Sequence, residues 1–417
     1  MCFLSWKPGF LYYLKRKCVP TPYLISYGYH HIPAILAYES LFYCLFVSSL
    51  SSLSLLCFVP TTGTHFWRFF SSLLSLQRQR TPCFEVVEVV SLAMAKDMEN
   101  VKYEEEFISN SRGMKLFTCQ WLPINQEPKA LIFLCHGYAV ECSITMKGTG
   151  IRLAKAGFAV YGMDYLGHGK SSGLQGYIPN FDELVNDCSD YFTSICEKKE
   201  NKKKLKFLLG ESMGGAVALF LHRKSPKYWN GAILVAPMCK IADEMKPPQA
   251  VIKILTMLSK VIPTWKIIPT QDIIDIAIKD PEKRVEARSN QYCYKERPRL
   301  KTGNQLLMAS LEIEQKLHEV SLPFLIVHGG DDKVTDPSVS KLLYESAYST
   351  DKTFKLYPGM WHALTSGEPP ENIDLVFSDI IAWLDPRSIA VDLRSERERK
   401  AEFDHPFLAL LGEKVIS

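Results

Sequence analysis

The fold of this chain is indicated most clearly by the stretch Lys206-Phe207-Leu208-Leu209-Gly210-Glu211-Ser212-Met213-Gly214-Gly215-Ala216-Val217-Ala218-Leu219. A short apolar run leads into the pattern Gly-x-Ser-x-Gly, and a run rich in Ala and Leu follows at helical period. This order is typical of a strand, a sharp turn and a helix, in which Ser212 is raised out of the fold as a nucleophile. Gly210 and Gly214 lack the Cβ atoms that would collide where strand and helix pack closely around the turn.

The same five-residue pattern occurs a second time, at Gly169-Lys170-Ser171-Ser172-Gly173. The segment before this copy is polar, and the segment after it is rich in Gly and Pro, so no strand and helix are available to build the turn. We therefore predict that Ser212 is the nucleophile and that Ser171 is an ordinary loop serine.

The composition is that of a globular protein with ample material for a core. The chain has 417 residues, a hydrophobic content of 47% and a formal net charge of +4. It contains no sustained basic stripe with interleaved aromatic residues, so a nucleic-acid partner is not expected. The 12 cysteines form no Cys-x-x-Cys pair and no metal-ligand spacing. We predict buried free thiols in a reducing compartment, and no metal site.

Residues 1–93 differ in kind from the rest of the chain, and we treat them as a hydrophobic N-terminal extension. Leu41–Val59 is apolar apart from serines, and as a helix it would rise about 28 Å, close to the thickness of a hydrocarbon core. Three interpretations stay open: a membrane anchor, a targeting sequence, or a gene-model artefact, with translation starting at Met94. The protein would be membrane-associated if the extension is retained and cytoplasmic if translation starts at Met94.

The body of the chain alternates between strand-like and helix-like segments with short connections. The strand-like segments are continuous apolar runs, for example Ala130–Cys135, Phe158–Met163 and Ala232–Ala236. Such runs predict an α/β fold with a mostly parallel central sheet that is covered by helices on both faces.

One long interruption separates the sixth predicted strand from the seventh. Between Pro237 and Leu322 the sequence shows helical stretches at about 248–262, 271–279 and 305–319, punctuated by prolines. We interpret this insertion as a helical cap over the edge of the sheet where ligands of open α/β sheets bind. The predicted organisation is therefore a core in two parts, 94–237 and 323–386, a cap at 238–322, and a charged tail at 387–417.

The base that activates the serine should follow it in the chain, as should an acidic partner. Among the five later histidines, His362 is preferred because it lies in a loop directly after the last predicted strand, where it can reach back over the sheet edge. The acid should follow the strand before that one. Asp336 precedes a proline at a helix start and is best explained as an N-cap. Asp331 and Asp332 are adjacent, and the residues alone do not choose between them.

Two backbone N–H groups are needed to bind the oxyanion that forms during acyl transfer. One belongs to Met213, the residue after the nucleophile, and the other to the loop after the third predicted strand, where Tyr138 is the expected donor. His136 precedes the serine in the chain and is expected to brace this loop rather than act as a base.

Five motifs in this order resemble the monoacylglycerol lipase branch of the α/β-hydrolases, a serine aminopeptidase S33 or lysophospholipase type of family, and in particular its plant members, which include caffeoylshikimate esterase. The motifs are His136-Gly137-Tyr138, Asp164-Tyr165-Leu166-Gly167-His168-Gly169-Lys170-Ser171, Gly210-Glu211-Ser212-Met213-Gly214-Gly215, His328-Gly329-Gly330-Asp331-Asp332 and Gly359-Met360-Trp361-His362. The resemblance covers about residues 100–385. It implies an α/β-hydrolase fold with a mobile cap, and a triad of Ser212, Asp332 and His362. The family usually has glycine where this chain has Ala139.

The resemblance implies a serine hydrolase that cleaves carboxylic esters through an acyl-enzyme, without a cofactor or metal. We expect monoacylglycerol or a related single-chain lipid as the substrate, with caffeoylshikimate or a lysophospholipid as the alternative. A non-catalytic binding protein of the same fold is a third hypothesis. The apolar stretch Val251–Ile262 of the cap suggests an acyl tunnel or contact with a membrane surface, or else a helix packed on the core.

Overall fold

The computed structural model describes residues 100–240, 247–268 and 270–388. The predicted N-terminal extension at 1–93 lies outside the described residues, as do positions 389–417 of the predicted tail. Within the described part, no helix is both long and apolar enough to cross a bilayer.

The described residues contain a single mixed sheet of eight strands, whose order is β1-β2-β4-β3-β5-β6-β7-β8. The strands are β1 (Val101–Ser109), β2 (Lys115–Pro123), β3 (Leu131–Cys135), β4 (Ala159–Met163), β5 (Lys206–Glu211), β6 (Gly231–Val235), β7 (Phe324–Gly329) and β8 (Lys352–Tyr357). Strands β3 to β8 are parallel, while β2 pairs antiparallel with both β1 and β4. The predicted α/β-hydrolase fold is confirmed.

Helices cover both faces of the sheet and also form the segment between β6 and β7. In chain order they are α1 (Lys147–Lys155), α2 (Phe181–Cys196), α3 (Met213–Lys224), α4 (Gln249–Val261), α5 (Ile273–Ala277), α6 (Pro281–Ser289), α7 (Leu300–Gln315), α8 (Pro337–Ser346) and α9, over 370–388. A 3₁₀ turn at Leu317–Glu319 follows α7. Helices α4 to α7 lie between β6 and β7, as predicted for the cap.

The core has two apolar layers, one on each face of the sheet, because the central strands are buried on both faces. Strands β3, β4 and β6 are buried at every position. One layer is filled from α2, α3, α7 and α8, and the other from α1 and α9. This packing fixes the sheet edge at which β3, β5, β7 and β8 all end.

Two elements differ from the sequence-based expectation. Strand β1 begins at Val101 and includes the three glutamates 104–106, whereas the sequence pattern predicts a strand only from Phe107 onward. It is an edge strand that buries little: Glu105 and Glu106 are exposed and Glu104 is only partly buried, so charge is tolerated on both of its faces. Helix α6 was missed because none of its residues is buried, and it therefore has no apolar period. Its start signal is nevertheless present: Asp280 caps the helix and Pro281 is its first residue.

Candidate active site

The turn between β5 and α3 places Ser212 in a strained backbone conformation. Ser212 has φ 54° and ψ −116°, which an L-residue other than glycine rarely adopts. Three backbone hydrogen bonds hold the turn: the Ser212 N–H donates to Val235, and the Ser212 carbonyl accepts from Gly215 and Met238, each at 2.9 Å. The strand, the sharp turn and the helix that the sequence indicated are therefore present, and we call this turn the elbow.

Close approach of backbone explains the glycines of the elbow. A Cβ on Gly214 would overlap the carbonyl of Cys135 at the end of β3, and a Cβ on Gly210 would overlap the carbonyl of Gly214. Strand β5, helix α3 and the end of β3 therefore meet at a distance that only glycine permits.

The structure brings His362 and Asp332 together. His362 lies in the loop of residues 358–368 after β8, which we call the His362 loop, and its Nδ1 is 2.7 Å from Asp332 Oδ2. Asp332 is buried, whereas its neighbour Asp331 is exposed. Of the two adjacent aspartates that the residues alone left open, it is Asp332 whose carboxylate lies against the His362 ring. Asp336 caps α8 by accepting from the N–H of Ser338 at 2.7 Å, as predicted.

Asp332 is held by more donors than His362 alone. Its Oδ1 accepts from the N–H groups of Val334 and Thr335, at 2.7 and 3.0 Å. Its Oδ2 accepts from the Thr335 hydroxyl at 2.9 Å. Burial would raise the pKa of Asp332, but the hydrogen bonds from His328 and His362 outweigh it and lower this pKa below its usual range. The carboxylate therefore stays ionised and orients the imidazole.

A second histidine, His328 at the end of β7, also touches Asp332. Its Nε2 is 3.1 Å from Asp332 Oδ2, and its Nδ1 is 2.7 Å from Ser340 Oγ. This set imitates a triad, but His328 and Ser340 are fully buried, so an ester cannot reach the hydroxyl. The Nε2 of His328 also lies 3.0 Å from the carbonyl of Thr335, which makes it the donor nitrogen. His328 therefore donates a further hydrogen bond to the Asp332 carboxylate.

Two further histidines accept hydrogen bonds from backbone N–H groups. His136 stacks on Tyr165, with ring centroids 3.8 Å apart, and its Nε2 accepts from the Tyr165 N–H at 3.1 Å. It braces the loop as expected. His222 accepts from the N–H of Ser321 at 3.1 Å. His405 lies outside the described residues.

One predicted oxyanion donor lies within the serine turn, and the other lies in a neighbouring loop. Met213 is the first residue of α3, and Tyr138 belongs to residues 136–145 after β3, which we call the oxyanion loop. A Cβ on Gly137 would lie 3.6 Å from the Cβ of Ser212, so this loop is directly beside the serine. Ala139 has φ 68°, in the left-handed region, which explains why glycine suits this position.

Two residues that sequence reasoning did not select connect the serine turn to the His362 loop. Glu211, the residue before Ser212, is hydrogen-bonded to the Thr365 hydroxyl. Burial raises the pKa of Glu211, while the bond from Thr365 and the nearby His362 lower it in part. The sequence feature that could have drawn attention to Glu211 is its position inside the Gly-x-Ser-x-Gly pattern.

Among the described residues, no cluster of three or more His, Cys, Asp or Glu side chains is placed to hold a metal ion.

Comparison with known proteins agrees with this geometry. The model of the family described as serine aminopeptidase, S33, matches residues 126–370. Caffeoylshikimate esterase of Arabidopsis thaliana is 35% identical over 290 residues, which is 69% of this chain and 87% of that protein. Monoglyceride lipase of Homo sapiens is 31% identical over 297 residues, which is 70% of this chain and 93% of that protein.

Solved structures show the same fold. A soluble variant of monoglyceride lipase from Saccharomyces cerevisiae, in complex with a substrate analogue, superposes with a TM-score of 0.61 at 21% identity, and the match covers 68% of this chain and 94% of that one. A carboxyl esterase from Bacillus coagulans gives a TM-score of 0.56 at 17% identity, over 69% of this chain and 99% of that one. The chain therefore belongs to the serine aminopeptidase S33 family of α/β-hydrolases, and it is a carboxylic ester hydrolase of the group that includes monoglyceride lipases and caffeoylshikimate esterase.

Proposed function

We propose that Ser212, His362 and Asp332 form the catalytic triad of this esterase. The observation that carries the proposal is the 2.7 Å contact between His362 Nδ1 and Asp332 Oδ2, because it leaves Nε2 as the nitrogen that can face a nucleophile. Ser212 is the residue that the strained elbow presents at the same sheet edge. In this arrangement Asp332 orients the imidazole, and His362 is the general base.

The reaction proceeds in two steps. His362 Nε2 takes the proton of the Ser212 hydroxyl while the oxygen attacks the ester carbonyl, and the N–H groups of Tyr138 and Met213 bind the resulting oxyanion. The tetrahedral intermediate collapses as His362 returns the proton to the departing alcohol, which leaves an acyl group on Ser212. Water then loses a proton to His362 and attacks this acyl group, and the acid is released as the bond to Ser212 Oγ breaks and His362 returns the proton to that oxygen.

For the substrate, we propose an ester of the caffeoylshikimate class ahead of monoacylglycerol. This reverses the order expected from the sequence. The support is the greater identity to the caffeoylshikimate esterase, 35% against 31% for the human monoglyceride lipase. Both relatives are matched over most of their own length, so the comparison concerns whole hydrolase domains.

A monoacylglycerol is the second candidate, and the exposed apolar side chains of the cap helix α4 favour it. Helix α4 buries only Ile252 and Ser259, so the option of a helix packed on the core does not hold for most of its apolar residues. Several large apolar side chains of α4 and the next segment are exposed: Val251, Ile254, Met257, Leu258, Val261, Trp265 and Ile267. Such a face suits contact with a lipid surface that supplies the substrate.

The test of the triad is turnover by the purified full chain and its Ser212→Ala variant, with Ser171→Ala as the matched control. Ser171 occupies the other Gly-x-Ser-x-Gly pattern, and its hydroxyl only joins backbone groups of Asp164 and Phe117, at 2.6 and 2.8 Å. Ser212→Ala should reduce kcat on an activated ester by about a thousandfold or more. Ser171→Ala should keep turnover within a few-fold. Equal turnover by Ser212→Ala and the wild-type protein would refute the triad.

The substrate is tested by comparing kcat/KM for caffeoylshikimate and for a monoacylglycerol. The proposal expects the higher value for caffeoylshikimate. If the lipid gives the higher value, and Met257→Ser raises KM for the lipid in micelles without changing turnover of a soluble ester, the second candidate replaces the first.

A further inference from the structure

One segment of the cap contacts both loops that serve the proposed triad. We call residues 277–294, which contain α6, the strap. At its beginning, the strap is hydrogen-bonded to the His362 loop. The N–H of Ala363 donates to Ala277 at 3.0 Å, the N–H of Lys279 donates to Gly367 at 2.9 Å, and the Lys279 ammonium donates to the carbonyl of Gly359 at 2.7 Å. The His362 loop is therefore supported by the cap as well as by the core.

At its end, the strap is bonded to the oxyanion loop. The N–H of Tyr294 donates to the carbonyl of Ala139 at 2.8 Å, the residue directly after the proposed donor Tyr138. The Asn290 side chain donates through Nδ2 to Glu141 Oε1 at 2.9 Å. The Tyr138 and Tyr294 rings also meet edge to face, with centroids 6.3 Å apart. A single strap thus contacts the loop of the base and the loop of the oxyanion donor.

Glu141 is the centre of the second contact. Its side chain is fully buried, and within its own loop it accepts hydrogen bonds from Ser143, Ile144 and Thr145, at 2.8 to 3.0 Å. These bonds fold the loop around the carboxylate, and Asn290 adds a donor from the cap. Because a buried carboxylate holds its donors strongly, the position of Asn290 and the position of the oxyanion loop are linked.

We propose that Asn290 is a positioning residue, which acts through Glu141 to hold the oxyanion loop so that the Tyr138 N–H points at the developing oxyanion. The strap is then a fixed part of the cap. This inference rests on the proposed esterase function, since it concerns the geometry of the same site.

The test measures Asn290→Ala and Asn290→Asp in the full chain with p-nitrophenyl butyrate. The Asn290 Oδ1 accepts from the N–H of Tyr292 at 2.9 Å, and an aspartate keeps this bond while it places a second carboxylate against Glu141. Asn290→Ala should lower kcat about tenfold with little change in KM, less than the hundredfold or more expected when an oxyanion donor is removed outright. Affinity for a boronic acid that forms a tetrahedral adduct should fall by a similar factor.

Asn290→Asp should lower kcat more than Asn290→Ala does. The ratio of the Asn290→Asp kcat to the wild-type kcat, both measured at the same pH, should rise as the pH falls from 8 to 5.5. A proton on either carboxyl restores a hydrogen bond between them. A residue that only stabilises the fold would not give this pH-dependent ratio.

The matched control is Asn304→Ala on α7. Asn304 is also a buried asparagine of the cap, and its Oδ1 accepts from the Thr256 hydroxyl at 2.8 Å, so its loss weakens the cap without touching the oxyanion loop. Its kcat should stay within about twofold of wild type.

Three outcomes would overturn the inference. The first is folded Asn290 variants with the wild-type kcat and boronic acid affinity. The second is failure of both variants to fold, because Asn290 would then be a stability residue only. The third is a wild-type protein without Ser212-dependent turnover, which removes the proposed function and this inference with it. The Ser212→Ala arm separates this case from the other two.

Discussion

Ala139 adopts a backbone conformation that its Cβ atom disfavours. Its φ of 68° lies in the left-handed region, which costs a residue with a Cβ about 1 to 2 kcal/mol relative to glycine. The conformation persists because the Ala139 carbonyl accepts the Tyr294 N–H, and because the loop must turn directly after the proposed oxyanion donor. The departure from the usual glycine is therefore a small local strain and leaves the course of the loop intact.

We predict that Ala139→Gly leaves the free energy of unfolding within about 1 kcal/mol of wild type and does not reduce kcat. The relief of strain is offset by the greater freedom of glycine in the unfolded chain, about 0.4 to 1 kcal/mol. Ala218→Gly is the control, since Ala218 lies inside α3 and is buried. The control should cost about 1 kcal/mol or more. Urea unfolding measures both, and a loss above about 2 kcal/mol for Ala139→Gly would contradict this account.

At the residue scale, chain order and local pattern predict the serine and histidine positions, whereas only the family resemblance, and not the residues themselves, selects Asp332 as the acid. Asp331 and Asp332 are adjacent and chemically identical, and only the fold shows that one is exposed and the other buried against His362. Thr335 and Thr365 were not predictable either. Their contacts with Asp332 and Glu211 join segments that are distant in sequence or depend on a specific turn.

The start of α3 is the element on which the site depends most, because β3, β5 and α3 converge there. Gly214 shares its position near a helix start with Gly148, the second residue of α1. Their surroundings differ: a Cβ on Gly148 meets nothing within 4 Å, whereas a Cβ on Gly214 overlaps the carbonyl of Cys135.

The same substitution should therefore have opposite effects in the two helices. Gly214→Ala should destabilise the protein by about 2 to 3 kcal/mol, as overpacking does, and displace Ser212, so that kcat falls by about a hundredfold. Gly148→Ala should stabilise it by up to about 1 kcal/mol, because alanine has the better helix propensity. Thermal unfolding and turnover of p-nitrophenyl butyrate measure both. Similar changes in stability for the two variants would contradict the packing described for the elbow.

At the element scale, the buried strands and helices could be predicted because apolar residues recur at the period of the element. The elements that the sequence missed or shortened are those that bury little. Helix α6 has no buried residue, and most of β1 faces solvent at the sheet edge. The role of α6 depends on hydrogen bonds at the two ends of the strap that contains it. Such bonds leave no pattern in the sequence.

The whole molecule contains several histidines that are buried without charge. His136, His168 and His222 are each at most 2% exposed. Burial lowers the pKa of His168 to about 4. Burial also lowers the pKa of His136 well below its usual value, with His168 nearby adding to the effect, and lowers the pKa of His222. The folded state therefore takes up fewer protons in mild acid than the unfolded chain does.

We predict that these three histidines contribute a decrease in the free energy of unfolding as the pH is lowered from about 6.5 to 4.5. Each histidine contributes up to about 1.4 kcal/mol per pH unit in that window, since its pKa is depressed in the folded state. Asp164 opposes this trend, because burial raises its pKa to about 7 and the folded state holds a proton that the unfolded chain has lost. Burial also raises the pKa values of Glu211 and Asp187, which oppose the trend in the same way.

Urea unfolding at pH 7, 6 and 5 measures this slope, with His222→Gln as the comparison. A glutamine oxygen can still accept the Ser321 N–H but does not titrate in this range, so the variant should show the shallower slope. A slope in His222→Gln that equals or exceeds the slope of the wild-type protein would contradict the prediction.

The central claim, that Ser212 is a nucleophile activated by His362 and Asp332, is tested most directly by covalent labelling of the full chain with a fluorophosphonate. The account predicts a single phosphonyl adduct, located by mass spectrometry on Ser212. The adduct should be absent in Ser212→Ala and should form at least a hundredfold more slowly in His362→Ala. An adduct on another serine, or an unchanged labelling rate in His362→Ala, would contradict it.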